Sequence, residues 1–309
     1  MKKTLAGMFL VSTLLLGACE AADNTQDEET ENVENVEDAE TPSPDESGAD
    51  NADTDDTDAD TDDLDEPEDE DLAEEEVEFL YEVNQATYTT INVIDGKEAN
   101  EQVALLTYDD APDKYALEIA ELLLEKDAPA IFFVNGMYIE NEEGQEALRQ
   151  LHEMGFAIGN HTHTHPYLRN ISEEEQTEEI LKTSDLIEEI IGERPRFFRA
   201  PFGENTDHSK EIVKEDGMAL MNWTYGYDYF EPYMNAEKLA EAMISGEAPE
   251  IDINYSLLQP GANLLMHDRE WTKDATPAII DGLREKGYEI LDPSLIQSGT
   301  TESEDANDA

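Results

Sequence analysis

Phe156-Ala157-Ile158-Gly159-Asn160-His161-Thr162-His163-Thr164-His165-Pro166 is an apolar run that breaks into a polar turn carrying three of the chain's six histidines. Imidazole is the commonest metal ligand at neutral pH, and histidines gathered at a strand end are a frequent way to build a site. If the strand ends before the histidines, His161 and His165 can converge from the two sides of a turn while His163 points elsewhere. A strand that continued would put all three on one face, because strand side chains alternate with period two. Pro166 supports the turn, since proline cannot extend a central ladder. His161 and His165 are therefore expected as ligands, with His163 behind them or exposed.

Outward from this stretch, short apolar runs alternate with segments of helical periodicity. Strands are expected over 103–107, 131–134, 156–159, 196–199, 219–223, 263–266 and 288–291. Helices are expected over 115–126, 146–154, 173–191, 209–215, 236–244 and 275–286. Ser172 with Glu175 three residues on reads as a capping box opening the longest helix. Such alternation implies an α/β fold on a mostly parallel sheet, open or closed into a barrel.

The polar clusters fall at the downstream ends of these strands: Asp109-Asp110, then the histidine turn, then Arg199-Ala200-Pro201-Phe202-Gly203, then His267-Asp268. In a barrel those ends share one face, where active sites sit. One acidic pair or one histidine is ordinary surface chemistry. Four chemically able clusters on one face are hard to explain as packing.

Thr107-Tyr108-Asp109-Asp110-Ala111, His161-Thr162-His163-Thr164-His165, Arg199-Ala200-Pro201-Phe202-Gly203 and Leu265-Met266-His267 resemble successive motifs of the polysaccharide deacetylase family, also called the NodB-homology or carbohydrate esterase family 4 domain. The resemblance runs from about residue 100 to 296 and implies a distorted (β/α)7-8 barrel. It implies a divalent metal, zinc or in some members cobalt, held by Asp110, His161 and His165. It implies Asp109 as general base, Arg199 orienting that base, the backbone N–H of Phe202 in the oxyanion site, and His267 as general acid. Two departures stand out: Tyr108 and Ala111 replace the commoner Phe and Gly, and the usual Asp-Trp of the fourth motif is matched only by Asp228-Tyr229. Asp228 is carried over as the partner that tunes His267. Tyr229 and Trp223 are candidates for the sugar groove or for packing, and Leu264, Leu265 and Met266 for the core.

The implied chemistry suits these residue types. An acetamide is a poor electrophile and water a poor nucleophile, and a Lewis acid helps both. A base and an acid placed on either side would move the two protons.

Before the domain, Met1-Lys2-Lys3 and the apolar run 5–16 read as an export signal, too short to span a bilayer. It ends in Leu16-Gly17-Ala18-Cys19, which resembles the lipobox of bacterial lipoproteins; Cys19, the only cysteine, is the expected lipidation site. Residues 1–18 are thus expected to be the signal peptide and 19–76 a disordered tether. Residues 77–296 would be the catalytic domain and 297–309 an acidic tail. Residues 20–78 hold 30 acidic and no basic side chains, a composition that cannot bury enough apolar surface to order itself. Roughly 60 such residues reach about 45 Å as a flexible linker.

Net charge is −60. Outside residues 20–78 and the two signal lysines, 48 acidic side chains face 16 basic ones, enough self-repulsion to destabilise a compact state in dilute salt. A Debye length of about 3 Å at 1 M salt would cancel most of it, so a salt-adapted source is expected. The same charge argues against nucleic acid or anionic lipid as partner, leaving a lipid anchor as the expected membrane attachment and a monomer as the default. The combined expectation is an outward-facing, lipid-anchored enzyme removing N-acetyl groups from a polysaccharide, first of all peptidoglycan N-acetylglucosamine. The alternatives are an O-acetyl esterase acting on acetylxylan, and a non-catalytic surface lipoprotein that binds glycan or metal.

Overall fold

The computed structural model describes residues 78–299. The signal segment, Cys19, the tether over 19–76 and the tail beyond 299 lie outside the described residues. The described chain opens with an antiparallel hairpin, β1 (Tyr81–Val83) and β2 (Ile91–Val93). Its three-residue strands carry too little pattern to be legible in the sequence. What holds them is tertiary: Tyr81 bridges Ile296, and Ile91 N–H donates to Gly261 O at 2.8 Å.

Then follow β3 (Val103–Ala111), α1 (Ala116–Glu125), β4 (Ile131–Val134), α2 (Glu142–Glu153), β5 (Ala157–Asn160), α3 (Glu173–Ile191) and β6 (Phe197–Phe198). The chain continues through α4 (Asp207–Glu215), β7 (Ala219–Leu220), α5 (Ala236–Ser245), β8 (Ala262–His267), α6 (Glu270–Glu285) and β9 (Glu289–Ile290). Every strand and helix expected from the pattern is present. Helix α3 has the expected bounds because local signals mark both ends: the Ser172–Glu175 capping box opens it, and Gly192 closes it with φ +81°. Helix α2 begins earlier than expected, capped by the Asn141 side chain, because Gly144 in its first turn masks the periodicity. Helix α6 begins at Glu270 rather than near 275, with Pro277 inside it.

All pairings of the main sheet are parallel, in the order β7-β6-β5-β4-β3-β8, with β9 also on β3. Past β7 the chain leaves β6 and reaches β8. Met221 N–H donates to Phe198 O at 2.9 Å, and Thr224 N–H to Asn263 O at 2.8 Å. Leu265 N–H returns to Tyr225 O at 2.9 Å. One irregular segment thus bridges the two outer strands and curls the sheet into a distorted barrel, the fold class expected.

The period-two rule divides β3. Ala104, Leu106 and Tyr108 pack outward with the helices, while Val103 and Leu105 join the hairpin's Tyr81, Val83 and Ile91 in the interior. Each such fully buried large side chain contributes about 1.5–3 kcal/mol. The inner row continues upward through Thr107 to Asp109. The barrel is therefore apolar below and polar at the strands' downstream ends. At the far end of the chain, Gln297 and Ser298 are tied in: Gln297 N–H donates to Tyr81 O, and the Ser298 hydroxyl accepts from Arg196.

Candidate active site

Two carboxylates on adjacent residues of a regular strand would point to opposite faces. The end of β3 avoids this with a register shift against β4 between Tyr108 and Ala111, where Asp110 adopts φ +62°. Asp109 and Asp110, expected just past the strand, lie within it, and the irregularity brings both carboxylates to the histidine turn. His161 Nε2 stands 3.6 Å from Asp109 Oδ2 and 3.9 Å from Asp110 Oδ1.

The turn after β5 is built by side-chain bonds to backbone. Asn160 accepts from Thr162 N–H at 2.8 Å, and Asn135 donates to His161 O at 2.8 Å. Glu179 on α3 accepts from the N–H groups of His163 and Thr164 and from the Thr164 hydroxyl. Thr162 and His165 take φ +65° and +59°, left-handed conformations that only such a network sustains. His163 is turned away from the carboxylates and is buried, not exposed. It lies against Gly136, where a Cβ would come within 2.0 Å of its Nδ1, and its Nε2 is near Glu140 and Lys182.

Asp110, His161 and His165 each present one ligand atom, all within 4.8 Å of one another. Asp110 Oδ1 lies 3.9 Å from His161 Nε2 and 3.7 Å from His165 Nε2. Bonds of about 2.0–2.1 Å to a tetrahedral ion would place such atoms roughly 3.4 Å apart, so each of these two carboxylate–imidazole separations needs to shorten by only a few tenths of an ångström. The donor set fits. His161 Nδ1 sits 2.7 Å from Arg199 O, which places the proton there and leaves the Nε2 lone pair facing the cluster. Burial, with His161 nearby, pushes His165 down to about 4, so its imidazole is neutral and able to coordinate. Burial raises the Asp110 carboxyl, but the imidazoles and Arg269 outweigh it and hold it below its ordinary value.

Arg199 and Asp109 form a buried pair at 2.6 Å. The guanidinium also donates to Thr107 Oγ1, Asn222 O and Asn263 Oδ1, and it lies 4.2 Å above the Phe133 ring. That ring is in place because residue 159 is glycine; a Cβ there would meet it at 2.5 Å. Burial draws the Arg199 pKa down and Asp109 opposes this; guanidinium remains charged throughout.

On β8, in register with Asp109, His267 Nδ1 is 2.8 Å from Asp228 Oδ1. Asp228 is fully buried and accepts from His267 N–H and the Thr272 hydroxyl, and its carbonyl accepts from Trp271. Burial alone would lower the His267 pKa. The Asp228 charge and hydrogen bond, helped by Asp109 and Asp110, outweigh it and push His267 up to about 9.

Phe202 takes φ +59° in a turn closed by Gly203 N–H to Ala200 O and Glu204 N–H to Pro201 O, neither of which uses Phe202's N–H. Its ring stacks on Tyr167 at 3.7 Å and meets His165 edge-on at 4.8 Å. Tyr229 is 43% exposed with its ring edge against His267, which places it on the rim. Trp223 is half-buried against Gly203, behind that turn. Leu264, Leu265 and Met266 are core.

Sequence reasoning missed several contributors. Thr107 and Asn263 were findable as polar residues inside apolar strands. Asp268 is buried and accepts the N–H groups of residues 113–116, holding the loop that follows Asp110. Arg269 donates to Asp110 Oδ2 at 2.7 Å across 159 residues of chain, and no local pattern announces it.

The arrangement sets a carboxylate base candidate and an imidazolium acid candidate, in register on adjacent strands, beside a three-ligand cluster, a geometry suited to hydrolysis of an acyl bond. The family model described as polysaccharide deacetylase matches residues 96–221. A peptidoglycan-N-acetylglucosamine deacetylase of Bacillus cereus is 30% identical over 218 residues, covering 68% of this chain and 74% of the relative. Among solved structures, the Bacillus subtilis peptidoglycan deacetylase PdaC superposes with a TM-score of 0.55 at 27% identity, covering 64% of this chain and 91% of that one. A carbohydrate esterase family 4 pseudoenzyme from Bacillus anthracis superposes with a TM-score of 0.54 at 26% identity, covering 62% and 64% respectively. Because the likeness includes a pseudoenzyme, the case for chemistry rests on the residues above and not on the fold alone.

Proposed function

The chain belongs to the polysaccharide deacetylase family, and from that premise we propose that it hydrolyses N-acetyl groups of peptidoglycan N-acetylglucosamine, releasing acetate. The observation that carries this is the pairing of Asp109 with Arg199 and of His267 with Asp228 beside the cluster of Asp110, His161 and His165, with Asp109 and His267 in register on adjacent strands.

A divalent ion, zinc first, held by Asp110, His161 and His165 would polarise the acetyl carbonyl and acidify the attacking water. Asp109, aimed by Arg199, takes a proton as the water oxygen bonds to the acetyl carbon. The Phe202 N–H would donate to the oxygen that gains charge. His267, kept protonated by Asp228, delivers its proton to the departing nitrogen. The carbon–nitrogen bond breaks, and the products are acetate and a free amine on the sugar.

Peptidoglycan is favoured by the Bacillus cereus relative and by the lipobox-like Leu16-Gly17-Ala18-Cys19, which would place the enzyme outside the membrane on an acidic tether. The test is acetate release by the full chain in high salt, with zinc or cobalt, from peptidoglycan, chitin oligomers and acetylxylan, using Asp109→Asn as control. Release from peptidoglycan that the substitution abolishes supports the proposal. Preferential release from acetylxylan would replace it with an O-acetyl esterase. No release from any polymer by folded, metal-loaded protein would leave a glycan-binding lipoprotein.

A further inference from the structure

Asp110's two oxygens have different neighbours. Oδ1 faces both imidazoles, 3.9 Å from His161 Nε2 and 3.7 Å from His165 Nε2. Oδ2 is taken by Arg269, whose Nη2 donates to it at 2.7 Å. The same guanidinium is anchored a second time, from Nη1 to the carbonyl of Asp268 at 3.0 Å. Its backbone has little freedom to retreat. Asp268 N–H donates to Asp109 O, and the Asp268 carboxylate is locked onto the amides of residues 113–116. Arg269 itself is the residue from which α6 begins. Asp110 is equally constrained, held at φ +62° in the irregular end of β3.

We propose that Arg269 is a positioning residue that confines Asp110 to a single coordinating oxygen. The inference rests on Asp110, His161 and His165 being a metal set. Two imidazoles and one carboxylate oxygen make three ligands and leave positions open for water and for the acetyl oxygen. A carboxylate that used both oxygens would fill one of those positions. A guanidinium bonded to a carboxylate oxygen makes a charge-assisted hydrogen bond, roughly twice as strong as a neutral one. That bond keeps Oδ2 away from the ion. Being a cation itself, Arg269 also opposes metal binding, so the site gives up affinity to keep its coordination open.

The test uses the full chain loaded with Co²⁺, whose visible absorption weakens as coordination number rises, with affinity measured by competition against a chelator. In Arg269→Ala the visible bands are expected to weaken and Co²⁺ to bind roughly tenfold tighter as a neighbouring like charge is lost. Deacetylation kcat is expected to fall with KM little changed. Arg269→Lys, which keeps the charge and one donor, is expected to restore spectrum and affinity to within about twofold of the native protein. A native spectrum in Arg269→Ala overturns the proposal, as does weaker Co²⁺ binding, which would make Arg269 a plain structural support. Failure of the unsubstituted protein to bind Co²⁺ would instead remove the metal set itself.

Discussion

Arg199 binds Asp109 through its guanidinium at 2.6 Å and His161 Nδ1 through its backbone carbonyl at 2.7 Å. One residue at the end of β6 therefore sets both the orientation of the candidate base and the tautomer of a candidate ligand. Both partners of the Arg199–Asp109 pair are buried, which makes the pair costly to break: losing one partner strands the other charge in a low-dielectric interior.

Arg199→Ala should accordingly lower unfolding free energy by about 3–5 kcal/mol. Arg199→Lys should fall between, since an ammonium cannot serve Asp109, Thr107, Asn222 and Asn263 with one planar fork. Urea titrations at fixed salt measure this; a loss under about 1 kcal/mol for the alanine variant would mean that Asp109 finds another partner.

Asp109→Asn should remove the proton acceptor while leaving its shape. Turnover should drop about 10²–10⁴-fold with metal stoichiometry unchanged, because Asp109 is not among the three residues that gather around the metal position. Acetate release and metal content, measured on one preparation, check both parts. Loss of the metal together with activity would reassign Asp109 as a ligand.

His267 makes stability and rate depend on pH in the alkaline range. Its pKa is raised to about 9 against an ordinary value of about 6.5. Stabilisation by the His267–Asp228 pair is therefore full below about pH 6.5 and is lost as pH rises through 9, by at most about 3 kcal/mol. A bound dication offsets the Asp110 charge and should bring the value down. In ion-free protein, unfolding free energy should fall between pH 6.5 and 9, and Asp228→Asn should remove most of that slope. The alkaline limb of kcat/KM should move to lower pH in the same variant; a limb that stays put would exclude His267 as the acid.

At His165 the metal should compete with few protons in mild acid, because burial pushes that imidazole down to about 4 and it takes up little proton at pH 5.5. His165→Ala should weaken binding by more than the roughly 10–100-fold typical of an outer-shell change. Chelation should abolish activity, and added zinc or cobalt should restore it. Calorimetric titration of native and variant proteins tests the first two statements.

Salt should stabilise the fold. Exposed like charges repel across the acidic surface, and screening weakens them as the Debye length shortens from about 10 Å at 0.1 M to about 3 Å at 1 M. The melting temperature should rise over that interval, with chloride salts of sodium and potassium alike. A flat or falling Tm would show that the acidic surface is already balanced by its own ion pairs.

Much of this molecule was decided locally. Apolar runs of four or five residues marked the strands, and the Ser172–Glu175 box with Gly192 bounded α3 within a turn at each end, because caps act through hydrogen bonds only a few residues long. The order of Asp109-Asp110, His161 to His165, Arg199 and His267 along the chain, each at a strand's downstream end, followed from the same pattern. Which side chains finally meet was not local. The irregular end of β3 aims two adjacent carboxylates the same way only because β4 pairs out of register beside it. His163 is buried because α3 brings Lys182 to it and Gly136 leaves room. Asp228 reaches His267 because the chain past β7 runs alongside β8. Arg269 holds Asp110 from the other end of the domain. Such contacts depend on how elements far apart in sequence stack, and pairwise packing over that range leaves no periodic trace in the residues that make it.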